Sequence, residues 1–81
     1  MRIDVLLFAR LRDVISADHL EFEVEEGTTV SQLAEKLMAS RGDERVRGLP
    51  LRYAVDETFV PGDYRLRDGD SVALIPPVSG G

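Results

Sequence analysis

The chain has 81 residues and contains no cysteine, no tryptophan, one histidine and one lysine. The absence of cysteine excludes a disulfide framework, a thiolate-bound metal site and a cysteine nucleophile. Because His19 is the only histidine, any nucleophile–histidine–acid arrangement would have to be built around it, and we expect a solvated side chain instead. Long apolar runs are also missing, since the stretch Val5–Ala9 is far too short to cross a bilayer.

Basic residues are in the minority: 10 Lys and Arg stand against 15 Asp and Glu, for a formal net charge of −5. This balance argues against nucleic acid or an anionic membrane as a partner, because both would select clustered positive charge. The length predicts a single domain. Asp4 is acidic where a secretion signal would turn apolar, so we expect a cytoplasmic protein.

The first third of the chain predicts two strands and a short helix. Ile3–Phe8 is rich in branched and apolar residues, which is typical of a strand buried on much of both faces. Ala9–Ser16 has apolar residues at helical spacing, which predicts a short helix. From Leu20 to Glu25 apolar residues alternate with glutamates, and this period of two predicts a strand with one solvated face.

The clearest helix begins after Thr29, which can cap it, and Gln32 completes a capping box three residues later. Gly42 lies just past the predicted end of this helix. The apolar side chains form one stripe on a helix of about three turns: Val30, Leu33, Ala34, Leu37 and Met38.

The second half predicts short strands separated by turns. The strands are Leu51–Val55, Thr58–Val60 and Ser71–Ile75, and the turns are Asp56-Glu57, Pro61–Asp63 and Asp68–Asp70. Because Pro76 and Pro77 cannot donate to a ladder, the sheet should end at Ile75. The order of elements predicts an α+β roll, in which one main helix packs across a mixed sheet. We expect a domain over residues 1–75 and a flexible tail over residues 76–81.

Two charged clusters are candidates for binding. The glutamates at 21, 23 and 25 fit the solvent side of a strand, and Asp68–Asp70 fits a tight turn, so we predict no metal site. The arginines at 41, 45, 47 and 52 form either an anion-binding or partner-docking patch or a solvated loop. Glycine-rich phosphate-binding motifs do not occur.

The carboxyl end of the chain carries the residues with the clearest chemical implication. Gly80 and Gly81 follow a strand and the stiff Pro76-Pro77 pair, which would project the tail from the body. Glycines lack Cβ atoms, so such a tail can thread a narrow channel. A terminal carboxylate is a poor acyl electrophile, but adenylation with ATP would activate it, and a sulfur donor would then leave a thiocarboxylate. A frayed tail is the alternative.

The whole chain resembles the small, sulfur-carrier subunit of molybdopterin synthase, a family with a ubiquitin-like β-grasp fold. The most specific part of the resemblance is the final Pro-Pro-Val-Ser-Gly-Gly after a strand. The segments that carry it are Leu7–Arg12, Gly27–Val30, Ala54–Glu57, Leu66–Asp70 and Ile75–Gly81.

This resemblance implies a working cycle without a resident cofactor. An E1-like enzyme with ATP adenylates Gly81, and a sulfurtransferase system converts it to a thiocarboxylate. The tail then enters the active site of the large synthase subunit and donates sulfur to cyclic pyranopterin monophosphate, in molybdenum cofactor biosynthesis. The chain would be a sulfur-donor subunit of a transferase complex, a heterotetramer of two small and two large subunits, rather than an enzyme alone.

The resemblance also implies roles for residues around the tail. Gly81 carries the reactive group, and Val78, Ser79 and Gly80 thread the channel.

An apolar surface near the root of the tail docks the large subunit, and its matched positions are Phe8, Phe59 and Ile75. Core packing is the alternative for Phe8 and Ile75, whereas turns flank Phe59 and favour an interface. The family commonly has Asn where this chain has Asp56; both residues suit a turn, but any amide contact with a partner is lost.

Other functions are compatible with a glycine tail. A sulfur carrier for thiamine synthesis or tRNA thiolation needs the same end, although the thiamine carrier is usually shorter and lacks the Phe-Ala-Arg opening and the Pro-Pro tail. A ubiquitin-like protein modifier also ends in Gly-Gly, and the single Lys36 disfavours chains through internal lysines. A binding module with incidental glycines is the remaining alternative.

Overall fold

The computed structural model describes residues 1–77; the predicted threading and carrier residues Val78, Ser79, Gly80 and Gly81 lie outside the described residues. The described chain forms five strands and two helices. In order these are β1 (Arg2–Leu7), α1 (Ala9–Ile15), β2 (His19–Glu23), α2 (Val30–Arg41), β3 (Arg52–Val55), β4 (Thr58–Val60) and β5 (Ser71–Ile75). Every predicted element is present, within one or two residues of its predicted bounds.

The five strands form one mixed sheet in the order β2-β1-β5-β3-β4. The central strands β1 and β5 run parallel, and every other pair in this sheet is antiparallel. The predicted α+β roll with a mixed sheet is therefore confirmed. Because β1 and β5 are parallel, the carboxyl end of β5, where the tail begins, lies beside the carboxyl end of β1.

The core lies between one face of the sheet and α2. Along β1 the side chains of Ile3, Val5 and Leu7 are buried, while Arg2 and Leu6 are exposed. The prediction that this strand is buried on much of both faces is therefore wrong. The physical reason is that the single long helix covers one face of the sheet only, so the alternate side chains of β1 point away from it.

The predicted capping box is confirmed at the start of α2. The Thr29 hydroxyl accepts a hydrogen bond from the Gln32 backbone N–H at 3.2 Å, and the Gln32 side chain accepts one from the Thr29 N–H at 2.9 Å. These bonds satisfy two of the donors that a helix start leaves free. The predicted apolar stripe is buried in full: Val30, Leu33, Ala34, Leu37 and Met38.

Gly42 caps α2 in the predicted place, but through close approach rather than a left-handed backbone. Its φ is −83°, and its N–H donates to the carbonyl oxygen of Met38 at 2.9 Å. A Cβ atom at this position would stand 2.9 Å from that same oxygen. The chain can therefore leave the helix this tightly because residue 42 has no side chain.

No helix in residues 1–77 is long and apolar enough to span a bilayer. The same range holds no group of three or more His, Asp or Glu side chains arranged to hold a metal ion.

Truncation of the α2 stripe should destabilise the fold strongly. Leu33 is fully buried in the core cluster, so we expect Leu33→Ala to lower the free energy of unfolding by about 2–5 kcal/mol. The exposed Lys36 on the same helix provides the control, and Lys36→Ala should change it by no more than about 0.5 kcal/mol. Urea denaturation followed by circular dichroism measures both, and equal effects would contradict the assignment of this helix face to the core.

Candidate functional site

Large apolar side chains are exposed on the face of the sheet that α2 does not cover. Among residues 1–77 they are Leu6, Phe8 and Phe59, which expose 36%, 45% and 59% of their surface. Contact between water and this much apolar surface is unfavourable. A phenylalanine exposed to this extent therefore marks a surface that another molecule can cover. The core alternative for Phe8 is therefore excluded.

The register of the sheet brings two of these side chains into one row. Leu6 pairs with Ala73, Ala73 with Ala54, and Ala54 with Phe59, across four adjacent strands. Cross-strand partners point to the same face of a sheet. Phe59 at one edge and Leu6 near the other therefore belong to a single continuous surface.

A second row lies closer to the root of the tail. Ile75 pairs with Arg52 across β5 and β3. Phe8 lies two residues after Leu6, and alternate residues of an extended chain share one face of the sheet. Phe8, Ile75, Pro76 and Pro77 line a shallow cavity of about 350 Å³, together with residues of the α1 start and Leu49. The tail therefore begins inside an apolar concavity.

We name this region the outer apolar surface and define it as Leu6, Phe8, Phe59, Ala73 and Ile75. The three side chains predicted to dock a partner, at 8, 59 and 75, all belong to it. Sequence reasoning missed Leu6 and Ala73. The signal for Leu6 was its spacing of two from Phe8, in a chain whose one long helix can cover only one face.

A cation–π contact lies at the β3–β4 edge of the outer apolar surface. The guanidinium carbon of Arg52 stands 4.4 Å from the centroid of the Phe59 ring. Such contacts contribute about 0.5–1 kcal/mol at exposed sites. The Phe59 ring is therefore held beside the sheet although more than half of its surface is exposed.

The opposite edge of the same face carries polar side chains in contact with one another. Arg2 lies 3.6 Å from Glu21, and His19 lies 3.6 Å from Asp4, with all four side chains exposed by about half or more. Exposed pairs of this kind contribute little to stability. They leave a polar margin next to the apolar rows.

The four arginines considered as one patch are separated in the fold. Arg52 lies in β3, on the outer face, whereas Arg45 lies in the loop after α2 and contacts Asp43 at 2.7 Å. The side-chain hydrogen bonds from Arg45, followed by the one from its backbone N–H, hold the pKa of Asp43 below its ordinary value. Arg45 is therefore engaged locally, and Arg52 belongs to the sheet rather than to the loop that carries Arg45.

The backbone and the carboxylate of Asp56 are both engaged in the β3–β4 turn. Its φ is 49° and that of Glu57 is 69°, so both residues adopt the left-handed backbone of a two-residue hairpin turn. The Asp56 carboxylate accepts a hydrogen bond from the Ser71 N–H at 3.3 Å, and the Asp56 N–H donates to the Ser71 carbonyl at 2.9 Å. An amide oxygen would accept the first bond equally well, so Asp here preserves the turn.

Comparison with known proteins connects the chain to a family. The model of the ThiS family matches residues 5–81. The chain belongs to the ThiS family. The molybdopterin synthase sulfur carrier subunit of Escherichia coli is 39% identical over 82 residues, which cover 98% of this chain and 99% of the relative.

Two solved structures extend the likeness of this ThiS-family chain to three dimensions. The Pyrococcus furiosus protein described as molybdopterin converting factor, subunit 1, is 30% identical with a TM-score of 0.82, over 96% of this chain and 99% of its own. Haloferax volcanii SAMP1, a small archaeal modifier protein, is 25% identical with a TM-score of 0.84 over the full length of both chains. The predicted β-grasp fold is thereby confirmed.

The Asp56 turn makes a testable distinction between a hydrogen bond and a charge. We expect Asp56→Asn to leave the free energy of unfolding within about 0.5 kcal/mol of the parent, because the amide oxygen keeps the Ser71 bond and Asn tolerates the left-handed backbone. Asp56→Ala should cost about 1–2 kcal/mol, since both advantages are lost. Parallel urea titrations compare the two, and equal losses would show that the carboxylate charge matters instead.

Proposed function

We propose that this protein is the sulfur-carrier subunit of a molybdopterin synthase, with Gly81 as the residue that carries sulfur. The observation that carries this proposal is the end-to-end family match, which extends through the two final glycines. The 39% identity to a relative that bears this name, over 99% of that relative, supports the same function.

The chemistry required of the chain is acyl activation of its own end. The Gly81 carboxylate attacks the α-phosphate of ATP, so pyrophosphate leaves and an acyl-adenylate forms. Sulfur at the level of hydrosulfide then displaces AMP and leaves a thiocarboxylate. After this sulfur passes to cyclic pyranopterin monophosphate, water supplies the oxygen that the carbonyl regains, and the carboxylate is restored.

The position of the tail root explains how such a chain can work without catalytic residues of its own. Six residues from Pro76 to Gly81 reach at most about 20 Å beyond the sheet, and Val78, Ser79 and Gly80 would thread a partner's channel. Phe8 and Ile75 of the outer apolar surface line the cavity in which that tail begins. A partner that docks there receives the reactive end in its active site.

The partners follow from this cycle and are part of the proposal. The large synthase subunit binds the outer apolar surface, in a heterotetramer of two small and two large subunits. An E1-like adenylating enzyme supplies the ATP-dependent step, and a sulfurtransferase supplies the sulfur. We place all of these steps in the cytoplasm, and we assign the domain to residues 1–75 and the tail to residues 76–81.

A second candidate function is attachment to other proteins, and the likeness to SAMP1 favours it. The same acyl-adenylate at Gly81 would then react with a lysine amine to form an amide. The 25% identity to SAMP1 is lower than the 39% identity to the Escherichia coli carrier, so we place this function second. A carrier for thiamine synthesis or tRNA thiolation shares the thiocarboxylate and differs only in its acceptor.

Sulfur loading should be visible in the intact mass. After incubation with its E1-like enzyme, ATP and a sulfur donor, the protein should gain the mass of one sulfur-for-oxygen exchange at Gly81. Deletion of Gly81 should abolish the gain and leave the circular dichroism spectrum unchanged. An unchanged mass of the parent protein with a competent activating enzyme would refute the sulfur-carrier function.

Docking should be separable from loading. We expect Phe59→Ser to load with sulfur like the parent but to yield at least about tenfold less molybdopterin with the large subunit, because a partly exposed aromatic anchor is removed from the interface. Lys36→Ala, on the α2 side, is the control and should retain full yield. Efficient thiazole formation or lysine adducts in place of molybdopterin would transfer the assignment to thiamine synthesis or to protein modification.

A further inference from the structure

Arg52 occupies a special position at the edge of the outer apolar surface. It pairs with Ile75 in the register of β3 and β5, and its guanidinium stands 4.4 Å over the Phe59 ring. Its side chain is therefore adjacent to two of the side chains proposed to dock a partner. Any molecule that covers Phe59 and Ile75 also covers Arg52.

The charge of Arg52 has no carboxylate to neutralise it within the described residues. In residues 1–77 no Asp or Glu oxygen lies within 4.0 Å of its guanidinium, whereas Arg2 and His19 on the same face each lie 3.6 Å from a carboxylate. The planar group is held by its contact with the ring and retains its N–H donors. This is the state of a guanidinium prepared for a ligand.

We propose that Arg52 is a specificity-determining contact of this surface, and that it donates hydrogen bonds to a carboxylate of the docking partner. This inference rests on the proposed function for the identity of that partner, the large synthase subunit. The partner surface then combines an apolar centre, placed against Phe8 and Phe59, with an Asp or Glu side chain opposite Arg52.

The argument for a carboxylate comes from desolvation. A guanidinium that is covered without a partner loses its hydration, and this loss opposes binding. A carboxylate matches the fork of N–H donors in two parallel hydrogen bonds and replaces the lost water. Because the contact with the Phe59 ring already restrains the group, less rotational freedom is lost when these bonds form.

The position also serves discrimination between partners. A protein with an apolar patch but a Lys or Arg opposite Arg52 would meet like-charge repulsion, and one with an apolar side chain there would leave the guanidinium unpaired. Both arrangements weaken the binding of the wrong partner, the first through repulsion and the second through an unpaired buried charge. Arg52 thereby gives selectivity to a surface whose apolar contacts alone are permissive.

Calorimetric titration of full-length variants against the large subunit of the same organism tests this proposal. We expect Arg52→Glu to weaken binding about 30-fold or more and Arg52→Gln to weaken it about tenfold. Arg52→Lys should lose less than Arg52→Gln, because the charge is kept while the fork is lost. Arg65→Glu is the matched control, because it makes the same change in net charge. Arg65 is exposed and forms an isolated β-bridge with Thr29 at the start of α2. Binding of this variant should change less than twofold.

Salt dependence and folding provide the two further readouts. Affinity of the parent should fall as ionic strength rises, and this slope should be shallower for Arg52→Gln. Thermal unfolding shows whether each variant is folded. If Arg52→Glu alone is destabilised, the affinity of Arg52→Gln, which introduces no new charge, tests the role of Arg52.

The outcomes separate the two proposals. Binding by the parent, with Arg52→Glu and Arg52→Gln as tight as Arg65→Glu, would overturn the role of Arg52 and leave the sulfur-carrier function intact. Failure of the parent to bind the large subunit, although its mass shows sulfur loading, would overturn the synthase assignment and the role of Arg52 with it.

Discussion

The parallel pairing of β1 with β5 is the constraint on which the rest of the molecule depends. It joins an early strand to the last one at the centre of the sheet, with Leu6 opposite Ala73 and Leu7 opposite Leu74. Because the two strands run in the same direction, the chain leaves the sheet beside Phe8. One pairing therefore closes the fold, sets the register of both faces and places the root of the tail within an apolar concavity.

Both faces of the sheet carry apolar side chains, but the chain has one long helix, which covers one face. α2 buries its stripe against the inner face, where Val5 and Val72 are fully excluded from water. On the outer face Phe8 and Phe59 remain largely exposed. One face of the sheet holds the core, and the other face is available for association.

In the proposed function, the folded domain and the tail have separate roles. The described residues supply a rigid platform, an apolar surface and one guanidinium stacked on Phe59, and the proposed reactive group belongs to the residue at the end of the tail. In the proposed cycle a chain without cysteine carries sulfur on the carbonyl carbon of Gly81. Discrimination then depends on side chains around the root of the tail, such as Arg52, rather than on the glycines, which have no side chain to recognise.

The sequence alone determined the local features: the Thr29–Gln32 capping box, the stripe of α2, the Asp56-Glu57 turn and the end of the sheet at Ile75. Each of these depends on residues within a few positions of one another, so periodicity and turn chemistry suffice to predict it. Tertiary structure alone decided that β1 is covered on one face, that Arg52 is apart from the loop arginines, and that Leu6 and Phe59 share one surface. These facts depend on strand order and register, which join residues as far apart as Leu6 and Ala73, and no local pattern encodes which strands become neighbours.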